Sequence, residues 1–278
     1  MRVVAALEQY APGCDVDIVS DEAQADLVVL HAWGRHTTLQ KKIARLNKQN
    51  KPYAIIQYVL RSSMRPDCGY WIDMWLGAKT VWSYYDLYQL CLDDGWGRPR
   101  MNFYHAPLGV EPYDFQYRQT PRHYTIFASS QHALSEGVRE CAFATKAVGG
   151  MMFHLGHELR RGKDIVCETG LSDYELSIRY SQSRYVSGLR RVEGFELPVI
   201  EGALCGAKPI VFDRPEMRKW FSEFAIFIPE TDREGVIENL TKIFREHADP
   251  ITPEMKKLIK ERFDWGTIIR GFWHKVLL

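Results

Sequence analysis

The stretch Glu193-Gly-Phe-Glu-Leu-Pro-Val-Ile-Glu201, followed by Gly202-Ala-Leu-Cys-Gly206, carries more information than any other part of this chain. Two carboxylates stand eight positions apart, and the segment between them predicts a turn that opens a short helix. Proline is tolerated in a first helical turn because its missing N–H would have no partner there. The unpaired N–H groups of the same turn suit an anion.

This spacing places one carboxylate before an anion-binding helix start and the other about two turns inside the helix. A ligand with phosphate in its middle and hydroxyls at both ends fits such a site, and a nucleotide sugar has that shape. The alternative is an exposed pair of glutamates with Glu201 solvated, because the helix dipole favours carboxylates near a helix start without any ligand.

Composition bounds the class of protein. The 278 residues are 46% apolar and 13% aromatic, which supports a real core, in one large domain or two ordinary ones. A net charge of +1 weakens, without excluding, nucleic acid and membrane surfaces as partners. No signal peptide and no membrane-spanning run is recognisable, and six scattered cysteines lack any Cys-x-x-Cys pair. These features predict a cytoplasmic protein with reduced, mostly buried thiols and no zinc site.

Short β-branched runs alternate with helical patterns, which is typical of stacked βαβ units. In the first half, strands are predicted at 2–7, 25–31, 53–60, 79–83 and 102–105, and helices at 37–50 and 84–93. In the second half, strands are predicted at 124–128, 151–155, 164–168, 184–187, 209–212 and 225–228, and helices at 135–148, 172–182, 198–205 and 232–247. Two further helices are predicted at 253–262 and 265–277.

The turn-rich segment 109–122 divides the two sets and predicts a linker. The predicted fold is α/β, with two doubly wound, Rossmann-like domains facing a cleft. The N-terminal domain would span 1–115 and the C-terminal domain 116–252, with 253–278 returning to the N-terminal domain. Ligands bind such sheets outside the carboxyl ends of the strands, at the topological switch. Residues 187–193 follow a predicted strand and would lie there.

Several motifs now resemble one family. The stretch 193–201 is similar to the Glu-x7-Glu motif of retaining, GT-B-fold glycosyltransferases of family 4. Four further segments match that family's pattern in order: His105-Ala-Pro-Leu-Gly-Val-Glu111, Leu171-Ser-Asp-Tyr-Glu-Leu176, Ala203-Leu-Cys-Gly-Ala-Lys-Pro-Ile-Val211 and Phe263-Asp-Trp265. The resemblance covers about residues 102–275 by ordered motifs and the first hundred residues by pattern alone.

The resemblance implies transfer of a hexose from a UDP- or GDP-sugar, such as UDP-glucose, with retention and without a metal or other cofactor. It implies that Glu193 contacts hydroxyls of the donor sugar and that Glu201 contacts the ribose hydroxyls. The backbone of Phe195, Glu196 and Leu197 would face the diphosphate, where dipoles stabilise the charge that develops on the leaving group.

The chain departs from this pattern in the loop after the first C-domain strand. The family carries two cations there, and aligning Glu136-Gly137 with its Lys-Gly puts Gln131 and Glu136 at these positions. Three alternatives stay open: the alignment is shifted, other cations substitute, or the donor site is degenerate. The nearest substitutes are Arg190, Arg191 and His132, since an Arg pair can clamp phosphate. A solvated basic pair is the alternative for the two arginines.

On the acceptor side, His31 ends a predicted strand and could orient an acceptor or act as a base, or it could be structural. The aromatic segment 70–76, with Trp71 and Trp75, could stack a sugar or a base, although core packing is favoured. Arg61 and Arg65 could bind an anionic acceptor or be ordinary loop charges. Asp15-Val-Asp17 spells a metal-binding triplet of a different fold and carries little weight.

Three functions are therefore compared. A glycosyltransferase with a carbohydrate or glycan acceptor is favoured, and a viral-type enzyme that modifies a DNA base is the second enzyme hypothesis. A catalytically silent binding module is the alternative from another class, favoured by Gln131 and Glu136 and opposed by the intact glutamate pair. Oligomeric state and sugar identity are not readable from this sequence.

Overall fold

The computed structural model of the chain describes residues 2–13, 15, 24–33, 37–60, 71–96, 101–130, 136–157, 159, 162–191 and 194–278. The chain divides into two units. The first combines Met1–Gly109, Val192–Phe195 and Trp265–Leu278, and the second combines Val110–Arg191 and Glu196–Asp264. The first unit thus ends six residues before the predicted boundary at 115, and residues 253–264 belong to the second unit.

Strands in the described part are β1 (Val28–Ala32), β2 (Tyr53–Gln57), β3 (Val81–Ser83), β4 (Phe103–His105), β5 (Tyr124–Ser129), β6 (Met152–Leu155), β7 (Ile165–Glu168), β8 (Ser183–Gly188), β9 (Lys208–Phe212) and β10 (Ile226–Ile228). Helices in the same part are α1 (Arg2–Tyr10), α2 (Thr37–Lys48), α3 (Ile72–Leu76), α4 (Leu87–Asp93), α5 (Val138–Ala147), α6 (Asp173–Ser181), α7 (Leu197–Leu204), α8 (Pro215–Phe221), α9 (Arg233–Glu246), α10 (Pro253–Arg262) and α11 (Trp265–Leu277).

Each unit is built on one parallel sheet. The first sheet has the order β1-β2-β3-β4 and the second has the order β10-β9-β8-β5-β6-β7, with every ladder parallel. All five residues of β2 are buried, as expected for a parallel strand covered on both faces. The predicted α/β class with two Rossmann-like sheets is confirmed.

The predicted strand at 2–7 is wrong, because these residues lie in α1. Val3 and Val4 suggested a strand, yet good helix formers follow them. Val3, Ala6 and Leu7 are buried at helical spacing, and α1 packs against α11. The helical spacing of the buried residues therefore outweighed the β propensity of Val3 and Val4.

Besides α1, two described helices, α3 and α8, were not predicted. In α8, Pro215 occupies the first turn, and Met217, Trp220 and Phe221 are buried at helical spacing. This helix carried a readable sequence signal. The five-residue α3 lies inside the aromatic segment 70–76 and is too short for a clear period.

The last helix completes the first unit. α11 contacts α1 and β4, where the Tyr104 hydroxyl donates to the Ile268 carbonyl at 2.9 Å. The Asn102 amide donates to the Lys275 carbonyl at 2.6 Å. No helix among the described residues is long and apolar enough to cross a bilayer. Three cysteines of the described part are buried: Cys91, Cys141 and Cys205.

Candidate active site

The carboxyl ends of β5 and β8 meet at the switch point of the second sheet. From β5 the chain runs outward to β6 and β7, and it then adds β8, β9 and β10 on the other side of β5. Open α/β sheets bind ligands outside the strand ends at such a point. The loop that connects β8 to α7 begins at this switch point, where it was predicted to lie.

Helix α7 presents a buried carboxylate. Glu196 is its N-cap in extended conformation, Leu197 is its half-buried first residue and Pro198 lies in its first turn. Glu201 is 3% exposed, and the hydroxyl of buried Tyr180, on α6, donates to its Oε2 at 3.0 Å. A buried carboxylate costs free energy unless it is hydrogen-bonded. The alternative of a solvated Glu201 is therefore wrong.

Arg190 joins two buried carboxylates at the switch point. Its Nε donates to Glu196 Oε2 at 3.1 Å, its Nη1 pairs with the Glu136 carboxylate, and its Nη2 donates to Ser129 Oγ at 3.2 Å. Arg190, Glu136 and Glu196 are each at most 9% exposed. The alternative of a solvated Arg190 is therefore wrong. Glu136, which the alignment put at a cationic position, is neutralised within this ion-pair cluster.

Arg191 turns to a different set of partners. Its Nη2 lies 3.3 Å from Glu140 Oε1, and its guanidinium lies 5.2 Å from the centre of the Phe212 ring. Arg214 donates to the Arg191 carbonyl at 3.0 Å and, through Nε, to Glu230 Oε2 at 2.7 Å. Arg191 therefore links the loop after β8 to Glu140 on α5.

Of the sequence-predicted donor residues, Glu193, Gln131 and His132 lie outside the described residues. Phe195 is buried, and its ring stacks on that of Tyr84 at 5.6 Å and 30°.

Position 194 has no room for a side chain, which explains its glycine. A Cβ at this position would lie 2.5 Å from the ring of Tyr85. Residues 194–195 therefore pack closely on the two tyrosines that follow β3, within the first unit.

His31 lies in β1 and contacts the next strand end. Its Nδ1 is 2.8 Å from the Tyr58 hydroxyl, and the Tyr84 hydroxyl donates to the Tyr58 carbonyl. Burial lowers the pKa of His31 and raises the pKa of Tyr58. Near neutral pH the imidazole is therefore uncharged and the phenol is protonated.

Trp33, which follows β1 directly, was not predicted as a site residue. Its ring stacks on Tyr58 with a centroid distance of 4.0 Å and an angle of 11°, and the residue is 53% exposed. An aromatic residue directly after a strand end was the signal that could have identified it.

The predicted aromatic platform at 70–76 is mostly core. Trp71 and Trp75 are at most 1% exposed, and Trp75 Nε1 donates to Gln57 Oε1 at 3.2 Å. Core packing, the favoured interpretation, is confirmed for both. Arg61 and Arg65 lie outside the described residues. Among the described residues, no three His, Cys, Asp or Glu side chains are grouped so that they could hold a metal ion.

No family model and no curated protein matches this sequence. Solved structures do match. Sucrose-phosphate synthase from Thermosynechococcus elongatus has a TM-score of 0.72 over 91% of this chain and 73% of its own, at 13% identity. HepE from Anabaena, solved with UDP and glucose, has a TM-score of 0.72 over 91% of this chain and 77% of its own, at 11% identity. The pneumococcal O-GlcNAc transferase GtfA, solved with UDP and GlcNAc, has a TM-score of 0.65 over 90% of this chain, which spans 57% of GtfA, at 15% identity.

The chain has the GT-B fold. The resemblance that the ordered motifs indicated is thereby confirmed at the level of the fold. Most of the motif region 193–211, from Glu196 onward, lies in the second unit. Identities of 11–15% concern the fold, and the chemistry must be argued from this chain's own residues.

Proposed function

We propose that this protein is a retaining glycosyltransferase that moves a hexose from a UDP- or GDP-sugar to a hydroxyl of a carbohydrate acceptor. The observation that carries the proposal is the buried Glu201 on α7, whose first turn follows the loop at the switch point. Solved relatives that bind UDP with a sugar support the donor class.

The glutamate pair would hold the two ends of the donor. Glu201 would accept hydrogen bonds from the ribose hydroxyls, and Glu193 would accept them from the sugar. Ionised acceptors form the stronger class of hydrogen bond to hydroxyls. The segment that leads into α7, Phe195, Glu196 and Leu197, would direct its N–H groups and the dipole of the helix start at the diphosphate as the bond to the sugar breaks.

Arg190 is our candidate for the cation that pairs with the donor diphosphate. It lies between the loops that follow β5 and β8, whereas Arg191 pairs with Glu140 and packs on Phe212. Donor binding would exchange one carboxylate partner of Arg190 for phosphate oxygens. His132 and Gln131, in the loop after β5, remain predicted donor contacts.

His31 would act on the acceptor side. With Nδ1–H donating to the Tyr58 hydroxyl, Nε2 is the acceptor of the neutral ring and can receive a hydrogen bond from an acceptor hydroxyl. The opposite tautomer would leave Nε2 as a donor. We assign no nucleophile, and the leaving phosphate would assist in deprotonating the acceptor.

Donor hydrolysis and thermal shift with a panel of UDP- and GDP-sugars test the donor site. Glu201→Gln should abolish most turnover and the ligand-induced rise in melting temperature, because the amide cannot replace a charged acceptor. Glu193→Ala should lower turnover as well. The matched control is Glu238→Gln, an exposed position on α9. Equal behaviour of the Glu201 and Glu238 variants would contradict the proposal, and activity lost in EDTA would contradict our expectation of metal-free transfer.

The role of Arg190 has its own test. Glu136→Gln removes one carboxylate from the cluster, so donor affinity should rise if Arg190 serves the diphosphate. Arg190→Lys should weaken donor binding more than Arg191→Lys, because a lysine cannot make the bidentate contact. Unchanged donor affinity in both Glu136→Gln and Arg190→Lys would remove Arg190 from the site.

One observation favours the silent binding module. Glu136 and Glu196 both engage Arg190, so carboxylates already occupy the guanidinium that would serve the diphosphate. These carboxylates would repel a diphosphate brought to the same guanidinium. Absence of both binding and turnover across the donor panel would support this second candidate over the enzyme.

A further inference from the structure

The exposed indole of Trp33 forms one surface of a rigid aromatic pair. Trp33 stacks on Tyr58 at 4.0 Å and 11°, and more than half of its surface is exposed. An exposed indole forgoes the stabilisation that burial of its apolar surface would give. A flat ring held in this position offers a ready stacking surface.

Tyr58 is fixed from several sides. It is 3% exposed, its amide N–H donates to the Ala32 carbonyl at 3.0 Å, and its carbonyl accepts from the Tyr84 hydroxyl. Its own hydroxyl contacts His31 Nδ1 at 2.8 Å. The ring beneath Trp33 is therefore preorganised, and a ligand that stacks on the indole would pay little ordering entropy.

His31 and Trp33 stand on the same side of the chain. Side chains two positions apart along an extended segment point to one face. Both also contact Tyr58. A ring stacked on the indole would therefore have its hydroxyls beside a neutral imidazole.

Among the described strand ends of the first sheet, charge favours a neutral sugar over a nucleobase of a nucleic-acid strand. The described residues at the carboxyl ends of the first sheet, 32–33, 57–60, 83–86 and 105–108, contain no Lys or Arg. They contain one carboxylate, Asp86, which caps α4 by accepting from the Gln89 amide at 3.0 Å. Nucleic-acid sites combine stacking rings with cations for the phosphates.

We propose that Trp33 is the acceptor platform, on which a pyranose ring stacks through its apolar C–H face, so that the acceptor is a neutral carbohydrate. This inference rests on the proposed glycosyl transfer and specifies its acceptor. It assigns the stacking role to Trp33 rather than to the buried Trp71 and Trp75.

Trp33→Ala is the test, and Trp96→Ala is the matched control, since Trp96 is a 52% exposed tryptophan of the same unit. The probes are methyl glucoside, maltotriose, cellotriose and chitotriose, titrated by calorimetry. Trp33→Ala should weaken binding of at least one sugar by about tenfold, and Trp33→Tyr should retain most of it. Trp96→Ala should leave the binding of each sugar and donor hydrolysis unchanged.

The outcomes separate the two proposals. If wild-type protein turns over a donor but binds none of the sugars, or if Trp33→Ala and Trp96→Ala bind them equally, the platform is wrong and the glycosyltransferase stands. If a short single-stranded oligonucleotide binds through Trp33 and the sugars do not, the acceptor is nucleic acid. If no donor binds or is hydrolysed, the proposed function fails, whatever the sugar titrations show.

Discussion

At the scale of single residues, three charged side chains form a buried ion-pair cluster at the switch point of the second sheet. Arg190 lies between Glu136 and Glu196, all of them nearly inaccessible to water. The attraction within such a buried cluster roughly offsets the cost of removing the charges from water. Loss of the cation alone is far more costly, because it removes the Arg190 guanidinium from two buried carboxylates.

Arg190→Met should therefore lower the free energy of unfolding by about 3–5 kcal/mol, measured by denaturant titration. Arg218→Met is the matched control. Arg218 Nη2 donates to Asp213 Oδ2 at 2.7 Å, but this ion pair is exposed. Its loss should therefore change the free energy of unfolding little. Equal losses in both variants would show that the Arg190 cluster is not effectively buried.

Glu201 could be singled out from the sequence as a candidate donor contact because its spacing from Glu193 lies within one local motif. The partners of Arg190 were not predictable in the same way. Glu136 follows β5, Arg190 follows β8 and Glu196 begins α7, so the cluster exists only where loops from separate elements meet. The alignment of the sequence placed Glu136 where the family carries a cation. In the structure, Arg190 pairs with Glu136.

At the scale of elements, a bidentate ion pair links the ends of two helices in the second unit. Arg262, at the end of α10, donates through Nη1 to Glu223 Oε2 at 2.8 Å and through Nη2 to Glu223 Oε1 at 2.5 Å. Glu223 follows α8. The Arg262 guanidinium lowers the pKa of Glu223 from 4.5 to about 2.

This shift predicts a pH dependence with a definite sign. The folded carboxyl binds a proton less readily than the unfolded one, so its contribution is complete above about pH 4.5 and is lost as the pH falls toward 2. The melting temperature of wild type should exceed that of Glu223→Gln at pH 7, and the gap should narrow below pH 4.5. The gap between wild type and Glu238→Gln should stay flat. A gap that widens on acidification would contradict the pairing.

Most elements were predictable because their apolar period and their caps are local. The α6 helix begins at a capping box formed by Ser172 and Glu175, and α10 begins at Thr252 with Pro253 in its first turn. The failure at α1 has a physical cause: the burial of Val3 and Leu7 against α11 decides the conformation, and that partner lies at the far end of the chain.

At the scale of the whole molecule, α11 is structurally part of the first sheet's core. Phe272 is fully buried, its ring lies 5.3 Å from that of Trp82 on β3, and Trp82 also meets Trp265. The close approach of Gly109 to the Trp265 ring, where a Cβ would lie 2.4 Å away, belongs to the same packing.

Phe272→Ala should destabilise the first unit by about 3–5 kcal/mol, since it opens a cavity beside Trp82. Hydrogen exchange should show β3 and β4 losing protection while β8 keeps it, because the two units have separate cores. The matched control is His274→Ala, an exposed position on the same helix, which should change little. Uniform loss of protection across both sheets would indicate that the two units unfold together.

Two parallel sheets were predictable from the alternation of strands and helices, because parallel strands need crossover helices. The segment 253–278 was expected to return to the N-terminal domain, and Trp265–Leu278 belongs to the first unit. The assignment of segment 192–195 to the first unit was not predicted. Only long-range packing, such as that of Phe195 on Tyr84, determines it.

The discontinuity of the first unit has a consequence for biosynthesis. Residues 110–264 leave the ribosome before Trp265–Leu278, so the second unit can finish folding while the first still lacks the helix that closes its core. The part of the chain that is translated first is therefore completed last. Until then, Trp82 and its neighbours present an uncovered apolar surface, on which a chaperone would act.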